Sequence, residues 1–231
     1  MSPSCLLLTT AFLASTPATV THEGRQFSLA FEAEMASFAK ADAAHPTKGG
    51  IVFTGSSSFV GWQSLKRDMA PLPVVNRAFG GSDSIQLWHY ADRAVLPCEP
   101  RIVVVYIGDN DLPQPRVTTA NYMSYVRRFV QEIKAKLPET RFVFVSTKPS
   151  VARWAMWPKA QKFNSALRQY CTREPNLTYV DISPTLLDSR GQVRQDCYGA
   201  DKLHVLPFVY GEWTKLIKPV VQGIWDEVSP H

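Results

Sequence analysis

The sequence has few of the features that mark a metal-binding or disulfide-rich protein. It contains four cysteines among 231 residues, and no two of them are spaced as C-x-x-C. A structural zinc site is therefore not expected, and four cysteines are too few for a disulfide scaffold in a chain of this length. Cys98 could still pair with Cys171 or Cys197 in an oxidising compartment, and the sequence leaves that open.

Basic runs, nucleotide-binding motifs and membrane-length apolar runs are also missing. The 25 Lys and Arg residues give a net charge of +5, but they are dispersed, so a nucleic-acid partner is not expected. Neither G-x-x-x-x-G-K-[ST] nor G-x-G-x-x-G occurs, which argues against nucleotide binding. No segment is long and apolar enough to span a bilayer. We therefore expect no cofactor, no metal and no membrane span.

The N-terminal segment, residues 1–26, has two interpretations. The run C-L-L-L-T-T-A-F-L-A at 5–14 is followed by small residues, as in a secretory signal peptide, but no Lys or Arg precedes Arg25. If the run is a signal peptide, the protein is secreted or periplasmic. Otherwise the segment is an N-terminal arm of a cytoplasmic protein. Residues 27–231 are predicted to form a single domain.

Hydrophobic residues make up 45% of the chain and recur in short β-like runs. These runs are rich in Val, Ile and Phe and mostly lack alternation, which is typical of strands buried on both faces. They cover residues 51–54, 73–76, 101–107, 141–146 and 177–182. The pattern predicts five strands of one parallel sheet.

Amphipathic stretches lie between the β-like runs. Apolar residues at three- and four-residue spacing predict helices over residues 27–41, 83–95, 118–137, 158–171 and 206–227. Strand–helix alternation of this kind implies right-handed crossovers and helices on both faces of the sheet. The predicted fold class is α/β, a three-layer α/β/α domain with a five-stranded parallel sheet of flavodoxin-like type.

Polar and glycine-rich segments follow the predicted strands. In open α/β sheets, sites form beyond the carboxyl ends of the strands, so these segments are expected to share one rim. They are G-S-S-S at 55–58, N-R-A-F-G-G-S at 76–82 and G-D-N-D at 108–111, and D-K-L-H at 201–204 precedes the last helix. The sequence thus brings serine, glycine, asparagine and an Asp/His pair to one place.

These residue types are the ones that acyl transfer requires. A serine hydroxyl needs a base to take its proton, and imidazole exchanges protons near neutral pH. An aspartate can fix the tautomer of that imidazole. Backbone N–H groups and an Asn amide can stabilise the oxyanion of the tetrahedral intermediate. Alone, three adjacent serines after a glycine would more often form a polar turn or a helix N-cap than a catalytic site.

Taken together, the segments resemble the sequence blocks of the SGNH hydrolases, also called GDSL esterases and lipases. The first block of that family normally reads Gly-Asp-Ser and is Gly55-Ser56-Ser57 here. Ser56 replaces the aspartate of the name motif, which is not the partner of the catalytic histidine. The second block supplies a glycine from an Asn-Arg-Gly-like stretch, and Gly81 fits that position best.

The third and fourth blocks match the family pattern fully. The third is Gly-x-Asn-Asp, present as Gly108, Asn110 and Asp111, and the last is Asp-x-x-His, present as Asp201 and His204. The order and approximate spacing agree over residues 50–228. Each motif is short, but all four occur in order at predicted junctions of strands and helices.

The resemblance implies a carboxylic ester hydrolase and assigns its residues. Ser57 would be the nucleophile, His204 the general base and Asp201 the residue that orients it. The oxyanion hole would consist of the N–H groups of Ser57 and Gly81 and the side-chain amide of Asn110. The chain order Ser, Asp, His agrees with one known order of the triad.

Residues near the same rim are predicted to contact the substrate. They are Asp111 and, in the segment that follows the fourth strand, Arg153 and Trp154. An aromatic wall there would suit a sugar ring, although Trp154 and Trp157 could instead pack the helix on the sheet.

The expected function is hydrolysis of short-chain acyl esters, with acetyl esters favoured and carbohydrate esters as one option. The partner would be a small-molecule ester, and the oligomeric state is open. Two alternatives remain. One is a lipase or thioesterase with the same machinery, and the other is a non-catalytic, flavodoxin-like module that binds an anion at helix N-termini.

Overall fold

The structure is a computed structural model that describes residues 18–22 and 24–229. Most of the segment predicted as a signal peptide or N-terminal arm, residues 1–26, lies outside the described residues. The chain divides after Ala30 into two units. In the first unit, β1 (Thr19–His22) and β2 (Arg25–Ser28) pair as an antiparallel hairpin.

The predicted helix over residues 27–41 was wrong at its N-terminal end. Phe27 lies in β2, and the helix begins later, as α1 (Glu32–Ala44) in the second unit. Gly24 has a φ of 74°, a conformation that suits the turn of a hairpin. The short T-V-T-H and R-Q-F-S segments on either side of the turn therefore form paired strands.

The second unit contains the predicted five-stranded parallel sheet. Its strands are β3 (Ile51–Gly55), β4 (Val74–Asn76), β5 (Ile102–Tyr106), β6 (Arg141–Val145) and β7 (Leu177–Val180). Their order across the sheet is β4-β3-β5-β6-β7, and every neighbouring pair is parallel. Every residue of β3 and β5 is buried, which explains why their sequences lack alternation.

The connections between strands are mainly helical. Short helices form α2 (Ser57–Val60), α3 (Leu65–Met69), α4 (Ser84–His89) and α5 (Ala91–Ala94), and longer ones form α6 (Thr119–Lys136), α7 (Trp157–Arg173) and α8 (Pro207–Val228). The predicted helix over 83–95 is thus two helices separated at Tyr90. Tyr90 is fully buried, and its ring packs against Phe79 and Phe31.

The helices cover both faces of the sheet and make the three-layer α/β/α architecture. On one face, Trp213 of α8 stacks on Tyr106 of β5 with ring centroids 6.2 Å apart. On the other face, Phe129 of α6 contacts Phe142 of β6 edge to face. The fold class predicted from the sequence is therefore confirmed.

The described cysteines are buried thiols. Cys98, Cys171 and Cys197 are all free, so none of these three forms a disulfide. Burial raises the pKa of Cys171 to about 12, which makes its thiolate scarce at neutral pH. We therefore assign these three residues to packing, and Cys5 lies outside the described part of the chain.

Candidate active site

The Gly-Ser-Ser-Ser segment presents one serine to solvent. Ser56 and Ser58 are buried, with 0% and 2% of their surface exposed, whereas Ser57 is half-buried as the first residue of α2. Of the three adjacent hydroxyl groups, only that of Ser57 is placed to meet a substrate.

Gly55 makes this presentation possible. Its φ is 121°, and a methyl group on its Cα would lie 1.9 Å from the carbonyl oxygen of Tyr106. The N–H of Ser56 donates to that same oxygen at 3.0 Å. The end of β3 therefore runs against β5 at a distance that only glycine permits, and the chain then turns into α2.

Ser57, His204 and Asp201 form one hydrogen-bonded chain. The Oγ of Ser57 lies 2.9 Å from Nε2 of His204, and Nδ1 of His204 lies 2.6 Å from Oδ2 of Asp201. Two segments separated by 147 residues thus meet at hydrogen-bond distance. The order hydroxyl, imidazole, carboxylate is the order that activates a serine.

The turn that carries Asp201 and His204 is held by the aspartate itself. Oδ1 of Asp201 accepts the backbone N–H groups of Leu203 and His204, each at 3.0 Å. Lys202 has a φ of 58°, and the N–H of Gly199 donates to the carbonyl of His204. The Asp-x-x-His motif therefore forms a tight turn that orients the imidazole of His204 toward Ser57.

The same hydrogen bonds keep Asp201 ionised. They lower its pKa well below the ordinary value, first through the N–H of Leu203, then through the ring and the N–H of His204. The side chains of Asp201 and His204 are about half exposed, at 51% and 47%. The carboxylate is therefore charged at neutral pH and can stabilise an imidazolium.

The loop after β4 lies beside the nucleophile. A methyl group on Gly80 would lie 3.9 Å from Cβ of Ser57, and Gly81 has a φ of 86° with open space where a side chain would stand. The hydroxyl of Ser82 donates to the carbonyl of Gly55 at 3.1 Å. The loop is thus attached to the end of β3 and places Gly81 near Ser57.

The loop after β5 brings Asn110 to the same rim. Gly108 has a φ of 114°, and a methyl group on it would lie 2.5 Å from Oγ1 of Thr147, so the strand end fits closely against the next loop. Nδ2 of Asn110 donates to the backbone carbonyl of Ser82 at 3.0 Å. The loops after β4 and β5, which were predicted to contribute oxyanion donors, are therefore hydrogen-bonded to each other.

Asp111 does not lie where the sequence analysis placed it. It is fully buried, and its two carboxylate oxygens accept the N–H and the hydroxyl of Ser84 at 2.9 and 2.5 Å. A substrate could not reach this carboxylate. The prediction that Asp111 contacts the substrate is therefore wrong. Asp111 instead anchors the first turn of α4 to the loop after β5.

Arg153 and Trp154 follow β6 and reach the rim. Trp154 is half-buried and stacks on Trp157 with ring centroids 6.4 Å apart. The N–H of Ala152 donates to the carbonyl of Lys202, which ties this segment to the turn that bears His204. Arg153 is mostly buried, and its guanidinium points at the third block rather than into solvent.

No role was predicted from the sequence for two residues of this region, Asp109 and Lys148. Nζ of the fully buried Lys148 lies 2.6 Å from Oδ2 of Asp109. Burial alone would raise the pKa of Asp109, but Lys148 and Arg153 outweigh it, so the pKa lies below the ordinary value. The only sequence signal was their position directly after β5 and β6, which does not reveal that a lysine is buried.

Over residues 18–22 and 24–229, no group of three or more His, Cys, Asp or Glu side chains is arranged to hold a metal ion. Within the same ranges, every helix is too short or too polar to cross a bilayer.

Comparison with known proteins identifies the family. Residues 41–207 match the GDSL-like lipase/acylhydrolase family, which is more than half of the chain. The chain therefore belongs to this family, and the predicted family is confirmed.

The chain is similar to platelet-activating factor acetylhydrolase IB subunit alpha1 of Pongo abelii, with 25% identity over 147 residues. The match covers 62% of this chain, and the chain spans 60% of the length of that relative. The protein of the same name from Bos taurus is 26% identical over 148 residues, with the same coverage of each chain.

Solved structures share the fold. A GDSL-like lipase from Bacteroides thetaiotaomicron has a TM-score of 0.68 and 18% identity, covering 82% of this chain and 97% of that one. A carbohydrate esterase family 3 protein from Talaromyces cellulolyticus has a TM-score of 0.62 and 13% identity, covering 77% and 99%. At these identities the likeness bears on the fold alone.

Proposed function

We propose that the protein is a serine esterase that hydrolyses short-chain acyl esters, above all acetyl esters, through Ser57, His204 and Asp201. The observation that carries this proposal is the hydrogen-bonded chain from the Ser57 hydroxyl through the imidazole to the Asp201 carboxylate, with distances of 2.9 and 2.6 Å. Membership of the GDSL-like lipase/acylhydrolase family supports the same chemistry.

The reaction would proceed in two halves. Nε2 of His204 takes the proton of the Ser57 hydroxyl as Oγ bonds to the ester carbonyl carbon, and the carbonyl π electrons move to the oxygen. When the tetrahedral intermediate collapses, the ester C–O bond breaks and the imidazolium gives its proton to the leaving alkoxide. Water then attacks the acyl-serine with the same proton transfers and releases the carboxylic acid and free Ser57. Throughout, Asp201 remains charged and stabilises the imidazolium.

The oxyanion of each tetrahedral intermediate needs donors that are already in place. We propose the backbone N–H groups of Ser57 and Gly81 and the side-chain amide of Asn110. The open space in front of Gly81 and the hydrogen bond from Asn110 to Ser82 support this assignment. One such donor contributes about 10²–10³-fold to kcat.

Acetyl esters are the substrate class that the comparisons support best. The relative from Pongo abelii is named an acetylhydrolase, and the histidine and aspartate of the proposed triad are half exposed rather than enclosed. The stacked rings of Trp154 and Trp157 offer flat apolar faces near the rim, and the fold is shared with a carbohydrate esterase. We therefore propose acetylated sugars as the first natural substrates to screen.

The assignment of the nucleophile is tested with Ser57→Ala. We expect this variant to lose turnover of p-nitrophenyl acetate and labelling by a fluorophosphonate, because the attacking oxygen is gone. Ser58→Ala is the matched control, since its hydroxyl is adjacent but buried, and it should keep both properties. Full esterase activity in Ser57→Ala, with an unchanged melting temperature, would refute the triad.

The acyl specificity is tested separately by a series of p-nitrophenyl esters. A short-chain esterase should prefer two to four carbons, whereas a preference for chains beyond about eight carbons would identify a lipase-type site. A folded protein that neither turns over the series nor reacts with the fluorophosphonate would favour the non-catalytic module.

A further inference from the structure

The side-chain amide of Asn110 is held at both ends. Its oxygen accepts a hydrogen bond from Nη2 of Arg153 at 3.1 Å, and its nitrogen donates to the backbone carbonyl of Ser82 at 3.0 Å. A primary amide nitrogen carries two N–H groups, so one remains for a ligand after the bond to Ser82. That remaining N–H is the donor which the proposed function assigns to the oxyanion.

Arg153 is itself fixed by Asp109. Its Nη1 donates to the side-chain oxygen Oδ1 of Asp109 at 2.6 Å and to the backbone oxygen of the same residue at 2.5 Å. Only 17% of the Arg153 side chain is exposed, and both terminal nitrogens of its guanidinium are engaged. The guanidinium therefore faces the protein and is poorly placed to bind a substrate.

Asp109 is anchored from the opposite side. Nζ of Lys148 lies 2.6 Å from Oδ2, and the hydroxyl of Tyr106 donates to the same oxygen at 3.1 Å. Only 5% of the Asp109 side chain and none of the Lys148 side chain is exposed. Lys148, Asp109, Arg153 and Asn110 thus form one continuous chain of contacts that ends at the proposed oxyanion donor.

The direction of the Arg153 contact determines which end of the amide faces the site. A guanidinium only donates hydrogen bonds, so it can bind the oxygen of Asn110 but never its nitrogen. If the amide turned over, its nitrogen would face the Arg153 cation and its oxygen would face the carbonyl of Ser82. Both contacts would then be unfavourable, and the oxyanion would lose its donor.

We propose that Arg153 is a positioning residue for ester hydrolysis. It acts through Asn110 by holding the amide with its N–H toward the developing oxyanion, and it does not bind the substrate. This inference rests on the proposed function, because it needs Asn110 to be an oxyanion donor. It replaces the expectation that Arg153 contacts the substrate.

The inference is tested by Arg153→Met in a double-mutant cycle with Asn110→Ala, using p-nitrophenyl acetate. Arg153→Met alone should lower kcat by about 10²-fold with KM nearly unchanged, because the contact matters only when negative charge develops. In the Asn110→Ala background, the same change should lower kcat by less than about threefold, since residues that act as a unit are not additive.

Two further variants make the test specific. Arg153→Lys can still donate one hydrogen bond and should recover part of kcat, although it cannot bind Asp109 and Asn110 with one planar group. Arg194→Met removes a partly exposed arginine that forms ion pairs elsewhere and should keep the wild-type kcat. Melting temperatures identify any variant that fails to fold, in which case the cycle is run with Arg153→Lys.

The outcomes separate the two proposals. Suppose that Asn110→Ala lowers kcat, and that Arg153→Met lowers kcat by the same factor with and without Asn110→Ala, or acts mainly on KM. Either result refutes the positioning role and leaves the proposed esterase function intact. If Asn110→Ala and Ser57→Ala both keep full activity, the proposed function itself fails.

Discussion

The buried pair of Lys148 and Asp109 allows a sharp prediction about stability. Asp109→Asn keeps the shape of the side chain but leaves the fully buried ammonium of Lys148 without its carboxylate. Removing one partner of a buried ion pair typically costs about 3–5 kcal/mol, because the remaining charge stays desolvated. A domain is stable by only about 5–15 kcal/mol, so this single change removes a large part of the total.

The measurement is urea unfolding followed by tryptophan fluorescence, with the free energy of unfolding extrapolated to water. Asp196→Asn is the matched control because it breaks an exposed ion pair with Arg194, and it should cost less than about 1 kcal/mol. Adding Lys148→Met to Asp109→Asn should restore part of the stability, since the fully buried cation is gone and only the partly exposed Arg153 still lacks its carboxylate. A loss below about 1 kcal/mol in Asp109→Asn would refute the argument, because a desolvated charge cannot cost so little.

The pH dependence of stability gives a second readout of the same pair. The pKa of Asp109 is lower in the folded protein than in an unfolded chain, where it is about 3.9. The folded state therefore binds fewer protons, and the stabilisation is complete above that value. It is lost as the pH falls below about 4 toward the folded pKa. In Asp109→Asn this part of the acid destabilisation should disappear.

Two other substitutions test the site more directly. Gly55→Ala should lower the free energy of unfolding by about 2–5 kcal/mol and remove most of the activity, because the added methyl group meets the Tyr106 carbonyl at 1.9 Å and φ is positive. The control is Gly223→Ala in α8, where a methyl group meets nothing within 4 Å. It should be neutral or stabilising in the same unfolding assay. Asp201→Asn should lower kcat on p-nitrophenyl acetate by on the order of 10⁴-fold, because an amide favours the wrong tautomer of His204, and a loss below tenfold would mean that the imidazole needs no such partner.

The sheet could be predicted from the sequence because its signal is local. Strands buried on both faces must be apolar at every position, as Ile102–Tyr106 is, and that pattern is visible without any neighbour. The parallel direction of the strands then follows from the helices that connect them. The rule that sites form beyond the carboxyl ends of parallel strands predicted that Ser57 and Asn110 share one rim, whereas the Asp-x-x-His motif was needed to assign His204 to it.

Other features depended on tertiary contacts that the sequence does not display. The helical spacing of residues 83–95 continues through Tyr90, but that residue is buried between rings of other segments and the helix breaks there. The burial of Lys148 depends on a carboxylate 39 residues away along the chain. Asp111 matched the family motif, yet its contact with Ser84, 27 residues earlier, turns it inward.

The hydrogen bond between Ser57 and His204 has a consequence for how activity relates to folding. His204 stands just before α8, and the hydroxyl of Tyr210 in that helix donates to the carbonyl of Ser58 at 2.9 Å. The turn that carries Asp201 and His204 therefore leads directly into α8, and α8 is hydrogen-bonded to α2, the helix that carries Ser57. Regain of esterase turnover during renaturation would therefore require that α8 has docked against α2.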